Sequence, residues 1–257
     1  MTLDYGQFLQ FLLVFTRMSG ALLMNPFFTR RSVPVIAKVG LSLLLAIVTA
    51  PTLTGAAPTF PTQLSFMLAL LREMLLGYAL GLVMNLFLSW VLVAGEVMDM
   101  EMGTSVSKIY DPQSGVSMPV TGTALNILIT LIFFAADGHL TLIRILATSL
   151  QMFPPGPTMV SFEVGRHIAL LMGDILVLTL KLAMPVMAIE LLTEAGQGIL
   201  MRISPQINIF VVGIQLKIGI GIAVVILALP AMTRLIDATL SEMFIQLQKS
   251  LTMLLQG

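Results

Sequence analysis

Residues 64–94 have the sequence LSFMLALLREMLLGYALGLVMNLFLSWVLVA, an apolar run of 31 residues. A run of this length is too long for a β-strand and predicts an α-helix of about 46 Å. A helix needs only about 20 apolar residues to cross a bilayer core that is about 30 Å thick. The stretch therefore predicts a helical membrane protein whose helices do not simply match the thickness of lipid.

The composition of the whole chain favours the same class. Hydrophobic residues make up 57% of the 257 residues and charged residues only 10%, whereas soluble domains are about 45–50% apolar and about 25% charged. So few charges argue against a cytosolic enzyme and exclude a disordered protein. They leave an integral membrane protein or a subunit buried in a hydrophobic assembly. The 13 basic and 13 acidic residues cancel, so no net charge steers the chain to nucleic acid.

Six further apolar runs predict helices, because the breaks between them carry proline and glycine. A last segment, Leu235–Leu255, mixes charged and apolar residues and predicts an amphipathic C-terminal helix. We expect Pro185 to kink or stop its helix and Glu190–Asn208 to turn the chain back into an antiparallel hairpin. The six runs are Phe8–Met24, Val35–Ala50, Val120–Ala136, Leu140–Phe153, Ile168–Ile189 and Ile209–Met232.

Six charged side chains interrupt the apolar runs, and each would cost about 2.5–3.5 kcal/mol or more if it faced lipid. We therefore expect them to face protein or water. They are Arg17, Arg72, Glu73, Asp174, Lys181 and Lys217. Except for Arg17, these are our candidates for buried polar groups or subunit-interface residues.

Lys181 and Lys217 are each 18 residues from Ile199, the midpoint of the predicted turn. This symmetry predicts that they lie at one depth. We expect at least one of them to meet an acidic group or carbonyl oxygens of a neighbouring subunit, the alternative being that both reach water along the edge of the hairpin. Together with Asp174 they also leave open a small-solute secondary transporter with a coupling site near the bilayer midplane.

The longest break between apolar runs, residues 96–119, is rich in residues that favour turns. Irregular backbone at membrane depth is tolerated only where it is buried in protein or lines a water-filled path. From the residues alone, an ordinary surface loop and a segment inside a pore both stay open. The candidate segment consists of Gly103, Thr104, Ser105, Val106, Ser107, Lys108, Ile109, Tyr110, Asp111, Pro112, Gln113, Ser114 and Gly115.

Other motifs indicate packing rather than chemistry. Gly77 and Gly81 form a GxxxG pattern that lets another helix approach closely. Glu190 and Glu194 share a helix face, but no histidine, metal motif or nucleophile accompanies them, so we expect a solvated or partner-facing edge. We therefore predict no catalytic residue, no cofactor and no metal ligand. The absence of cysteine excludes disulfides, thiolate catalysis and iron–sulfur clusters.

The distribution of basic residues predicts part of the topology. Arg30, Arg31 and Lys38 make the loop after the first run the most basic one, which would place it in the cytoplasm. The uncharged loop Pro51–Pro61 would then lie on the other side of the membrane.

Three blocks of sequence carry a family resemblance that extends from about Phe8 to Pro230. Together they resemble the FliR family of flagellar export proteins, which is shared with injectisome type III secretion systems. Glu96 and Glu101 depart from the family pattern, which has glutamines there. The first block contains Pro26-Phe27-Phe28, Arg30-Arg31, Val33-Pro34 and Gly40-Leu41; the second contains Arg72-Glu73, Gly77–Gly81, Ala94-Gly95, Gly103, Asp111-Pro112, Asp137-Gly138-His139-Leu140 and Pro154; the third contains Lys181–Val186, Pro205–Phe210, Gly213 and Lys217.

The resemblance implies an all-α, polytopic chain of kinked helices and helical hairpins that forms a single export-gate domain. Residues 1–160 would resemble a FliP protomer, and residues 161–257 a FliQ-type hairpin with an amphipathic C-terminal helix. The implied partners are FliP-type and FliQ-type subunits, other membrane proteins of the export apparatus, unfolded secreted flagellar substrates and lipid. The implied location is the bacterial inner membrane, in the flagellar basal body.

The resemblance also implies a role without enzymatic chemistry. The subunit would form part of a protein-conducting channel that is needed for flagellum assembly, and Gly103–Gly115 would plug its pore. Family complexes sit largely above the membrane plane, which would explain why the apolar runs fit a bilayer poorly.

Overall fold

A computed structural model of the chain describes residues 5–26, 33–53, 58–104, 119–156, 163–204 and 209–255. These residues form seven α-helices and one short 3-10 turn at Ala50–Thr52, and they contain no β-strand. The all-α prediction is confirmed. The helices are α1 (Tyr5–Met24), α2 (Val35–Thr49), α3 (Gln63–Glu101), α4 (Val120–Ala135), α5 (Gly138–Met152), α6 (Glu163–Ile203) and α7 (Ile209–Leu255).

Helix α3 continues seven residues beyond the end of its apolar run at Ala94. The added turns still carry buried side chains, including Met98 and Asp99, so burial continues even though acidic residues appear. The helix ends where Gly103 adopts a positive φ of 75°, a backbone conformation that glycine adopts without steric cost and that commonly closes helices.

We expected Pro185 to kink or stop its helix; α6 runs through it for 41 residues, so Pro185 does not stop the helix. Proline removes one backbone hydrogen bond, and here its neighbours Leu182, Ala183 and Val186 are buried, so packing holds the helix together across the gap. Helix α7 likewise runs through Pro230 for 47 residues.

Helix α7 also includes the segment that was predicted to be a separate amphipathic helix. Helix α6 continues to Ile203 and α7 begins at Ile209, so most of the segment predicted to turn the chain, Glu190–Asn208, is helical; residues 205–208 lie outside the described residues.

Five of the described helices are long and apolar enough to cross a membrane, and α4 with α5, bent by 67°, would make a sixth. The bend occurs where Asp137 takes a left-handed φ of 52° before α5. The prediction of a polytopic helical protein is confirmed. Helices α3, α6 and α7, at 39, 41 and 47 residues, are about twice the length that a bilayer needs.

The chain divides into two compact units. Unit one comprises Met1–Phe87, Ala136–Met172 and Ser241–Gly257, and unit two comprises Leu88–Ala135 and Gly173–Leu240. The division into a FliP-like and a FliQ-like part stays a prediction. Buried apolar side chains of unit one include Leu13, Val14, Met18, Leu80, Val83, Leu146, Leu150 and Leu251; those of unit two include Val91, Ala94, Met98, Met102, Ile129, Phe133, Leu182 and Ile236.

Candidate functional site

A buried ion pair joins the helices of unit one. Arg17 on α1 donates from Nε to Glu73 Oε2 on α3 at 2.5 Å and from Nη1 to the carbonyl oxygen of Ser149 on α5 at 2.9 Å. The other oxygen of Glu73 accepts from the backbone N–H of Gly156 at 3.4 Å. Both side chains are 1% exposed. The flat guanidinium, with donors in several directions, thus links two helices and a carboxylate.

Glycines allow α1 and α3 to approach closely beside this pair. A Cβ added at Gly77 would lie 2.9 Å from Ala21 N and closer still to Arg17 O, and one added at Gly81 would lie 2.5 Å from Ala21 O. Gly20 on α1 lies at the same helix contact, since a Cβ added there would lie 2.6 Å from Met74 O on α3. The GxxxG pattern therefore lies at a helix contact within the chain.

Asp99 of unit two binds described residues on both sides of segment 105–118. Its buried carboxylate accepts hydrogen bonds from the backbone N–H of Thr121, at 3.0 Å from Oδ2, and of Gly122, at 3.4 Å, in the first turn of α4. Its carbonyl oxygen accepts from the hydroxyl of Thr104 at 2.8 Å. A carboxylate at a helix N-terminus satisfies unpaired N–H groups and interacts favourably with the helix dipole. We call Asp99 with these partners the loop anchor.

Close backbone packing supports the loop anchor. A Cβ at Gly95 would lie within 3.0 Å of backbone atoms of Gly122. The residues of the predicted plug from Ser105 to Gly115 lie outside the described residues, but both described flanks are bound to Asp99.

Helices α6 and α7 form an antiparallel hairpin in unit two, and three contacts define its register. Glu194 forms an ion pair with Lys217. The amide of Gln197 donates to Gly213 O at 3.2 Å, and the carboxyl of Glu190 lies against Gly221.

This register corrects the expectation that Lys181 and Lys217 share one depth. Lys217 lies opposite Glu194, and Lys181 is 13 residues before Glu194, which is about 20 Å along a helix. The symmetry argument fails because α6 continues through Ile199, the assumed midpoint of the turn, to Ile203.

The structure also corrects the expectation for Glu190. We expected Glu190 and Glu194 to form a solvated or partner-facing edge, but Glu190 is 0% exposed within this chain, whereas the Glu194 side chain is 52% exposed. One turn of α6 separates a buried carboxyl from a surface one, because Met102 and Gly221 lie at Glu190.

The remaining predicted site residues do not converge. Arg72 is half-buried, and Asp174 and Lys181 are exposed on the surface of this chain. Their assignment to a subunit interface stays a prediction. Among the described ranges, no group of three or more histidine or acidic side chains is placed to hold a metal ion.

Sequence reasoning missed the role of Asp99 and the partner of Glu73. Asp99 binds residues 22 and 23 positions later, beyond any local capping pattern. Glu73 binds a residue 56 positions earlier. The available signal was that Arg17 and Glu73 are opposite charges in two separate apolar runs, which makes them natural partners.

Comparison with known proteins identifies the family. Residues 8–243 match the model of a protein family described as bacterial export proteins, family 1. The chain belongs to this family of export proteins. Within it, the chain is similar to flagellar biosynthetic protein FliR of Pectobacterium carotovorum subsp. carotovorum, at 32% identity over 95% of this chain and 94% of that protein.

Two further export proteins of this kind are similar over most of their length. Flagellar biosynthetic protein FliR of Escherichia coli strain K12 is 31% identical over 85% of this chain and 84% of its own length. Flagellar biosynthetic protein FliR of Bacillus subtilis strain 168 is 29% identical over 85% of both chains. The resemblance seen in the three sequence blocks is confirmed.

Proposed function

We propose that the chain is a subunit of the flagellar type III protein export gate. It forms part of the protein-conducting channel with FliP-type and FliQ-type subunits and passes unfolded flagellar proteins across the inner membrane at the flagellar basal body. The observation that carries this proposal is the family match over residues 8–243, together with relatives named FliR that are covered almost end to end. The role requires no catalytic residue in this chain.

The surface of unit two supports a hydrophobic assembly. Large apolar side chains along α6 and α7 are exposed in the isolated chain, and soluble proteins rarely expose apolar surface on this scale. Lipid and partner subunits are the surroundings that make such a surface stable. The exposed side chains include Leu176, Leu180, Met184, Leu191, Leu192, Ile222, Ile226 and Leu227.

Segment Gly103–Gly115 acts as the pore plug in this proposal. Its composition favours turns over a helix, and its family resemblance points to the same role. The loop anchor supports it physically, because Asp99 holds Thr104 and the start of α4 at a fixed base. A plug on a fixed base can move without unfolding the helices that carry it.

The structure gives no support to a small-solute transporter. Such a site needs its charged groups to converge near the bilayer midplane. Lys217 is paired with Glu194, Asp174 and Lys181 are exposed, and Lys181 lies about 20 Å along α6 from the Lys217 pair.

Deletion of the gene in its own host tests the proposal. We expect loss of swimming in soft agar and loss of flagellar proteins from the culture medium, with normal growth and normal secretion by other routes. Native mass spectrometry of the tagged protein from the complemented strain should show additional membrane subunits. A deletion strain that secretes flagellar proteins normally, or a purified lone species of 27.8 kDa, would contradict it.

A further inference from the structure

Glu190 is a buried carboxyl group that has no part in the proposed export function. It lies on α6 in unit two and is 0% exposed. Neither of its side-chain oxygens has a hydrogen-bond partner among the residues that the structure describes. An ionised carboxylate that is buried without donors is strongly destabilised. The group therefore needs either a proton or a cation.

No group in the part of the chain that the structure describes donates a hydrogen bond to the Glu190 carboxyl. A Cβ added at Gly221 on α7 would lie 2.8 Å from Glu190 Oε1 and closer still to Cγ and Sδ of Met102, which follows α3. The carboxyl and the thioether thus share the space that the glycine leaves open. A thioether sulfur is only a weak acceptor, so Met102 shields the carboxyl from water without stabilising its charge.

The charged groups near Glu190 come from each of the three helices that meet there. They are Glu101 on α3, Glu194 on α6 and Lys217 on α7. The two carboxylates oppose a negative charge on Glu190, and Lys217 favours one. Lys217, however, is bound to Glu194, one helical turn away from Glu190.

We propose that Glu190 is a proton-binding site that exchanges its proton for the ammonium group of Lys217. While Lys217 is paired with Glu194, Glu190 is a neutral carboxylic acid under Met102. When Lys217 moves one turn along α6, from Glu194 to Glu190, the carboxyl proton leaves to water and Lys217 keeps its own charge. Glu190 and Glu194 are four residues apart on α6, and Lys217 and Gly221 four apart on α7, so the exchange needs only a change of side-chain rotamers.

The exchange makes the packing of Met102 at the end of α3 depend on pH. Packing of Met102 over the neutral carboxyl takes up one proton from water, so this packing is favoured as the pH falls and opposed as it rises. Met102 directly precedes Gly103, so the exchange changes the packing at the C-terminal end of α3. The inference depends on the geometry of unit two and does not require the export role.

Infrared difference spectroscopy on the tagged protein, purified with its co-purifying subunits, tests the site. At neutral pH the wild-type protein should show the carbonyl stretching band of a protonated carboxylic acid. The band should be lost in Glu190→Gln and retained in Glu96→Gln, a control that changes an exposed carboxylate on α3. A difference spectrum between wild type and Glu190→Gln that contains only carboxylate bands would overturn the proposal.

Two further variants test the exchange. Glu194→Gln releases Lys217, which should displace the proton and remove the Glu190 band, whereas Lys217→Met should keep the band to higher pH than in the wild type. An unchanged band in Glu194→Gln would overturn the exchange. Because glutamine reproduces the shape of a neutral carboxylic acid, a Glu190→Gln chain that fails to accumulate in the membrane would overturn the neutral state as well.

Discussion

Arg17 and Glu73 lie 56 residues apart in the sequence, and Arg17 Nε lies 2.5 Å from Glu73 Oε2 in the interior of unit one. The pair is almost completely removed from solvent. A buried pair of this kind contributes little net stability relative to apolar residues of the same size, yet breaking it leaves an uncompensated charge. Because each charge needs its partner once it is buried, the pair favours the helix faces on which Arg17 and Glu73 meet.

Arg17→Met should destabilise unit one by about 3–5 kcal/mol, the cost of leaving Glu73 buried without its partner. The amount of full-length protein in membranes and its thermal unfolding in detergent measure this effect. Arg72→Met, which changes a half-buried neighbour of Glu73, should cost far less.

A double variant separates pairing from packing. Arg17→Met with Glu73→Met removes both charges, so it should be more stable than Arg17→Met alone. If the double variant is the less stable of the two, the ion pair is not the source of the single-variant loss.

Gly77→Ala should disrupt the contact between α1 and α3, because its Cβ would clash with backbone atoms of Arg17 and Ala21. Backbone cannot move aside as a side-chain tip can, so we expect a loss of about 1–3 kcal/mol. Gly173→Ala is the matched control, since nothing lies within 4 Å of its Cβ. It should be neutral or stabilising by up to about 1 kcal/mol. Equal thermal unfolding of the two variants would contradict the close contact.

The helices of this chain follow from hydrophobic patterning, and the places where prediction failed have physical causes. Runs such as Val35–Ala50 gave helix ends to within one residue, since Pro34 and Pro51 flank the helix. Pro185 does not stop its helix, because proline removes only one hydrogen bond and tertiary packing around it compensates. Leu235–Leu255 was separated from α7 by its polar residues, although a helix continues through polar residues when one face stays buried.

Asp99→Ala should detach the start of α4 from the end of α3. Loss of a capping carboxylate costs about 0.5–2 kcal/mol. The effect should be local, so hydrogen exchange at Thr121 and Gly122 should accelerate while the helices of unit one keep their protection. Glu96→Ala, one turn earlier on α3 and exposed, should leave exchange at both residues unchanged. Unaltered exchange in Asp99→Ala would show that the loop anchor does not hold α4.

Replacement of residues 105–118 by a short glycine–serine linker should open the proposed pore. The linker is short because Asp99 holds Thr104 and Thr121 near one another. With all partner subunits present, the inner membrane should leak ions and small solutes, which a fluorescent dye or an ion-sensitive probe detects. The same variant expressed without its partners should not leak. An assembled variant with wild-type permeability would contradict the plug.

The candidate site was less predictable than the fold, because its residues are joined across long sequence distances. Composition and apolar runs could show that Glu73 and Lys217 must avoid lipid, but they could not show which partner each one has. Glu190 and Glu194 are four residues apart on one face of α6, so helix periodicity alone cannot show which of them is buried. Only the packing of Met102 and Gly221 at one of them makes the first buried and the second exposed.

Lys181 is the lysine that we expect to contact a neighbouring subunit. Lys217 has an acidic partner within the chain, whereas Lys181 is exposed among the exposed apolar side chains of Leu180 and Met184. A charge that faces lipid there would cost about 2.5–3.5 kcal/mol or more, so an acidic group or carbonyl oxygens of a partner subunit should meet it. Lys181→Met should therefore weaken co-purification of partner subunits about tenfold or more, equivalent to ~1.4 kcal/mol.

Lys181→Arg retains the charge and should assemble more completely than Lys181→Met. Lys217→Met should assemble nearly as well as the wild type, because it removes a partly exposed ion pair worth at most about 1 kcal/mol. Affinity purification from the native host, with partner subunits quantified by mass spectrometry, compares the three variants. Normal assembly of Lys181→Met would contradict the contact with a partner subunit. It would mean that the Lys181 side chain reaches water, because no partner group loses its counter-charge when Lys181 is replaced.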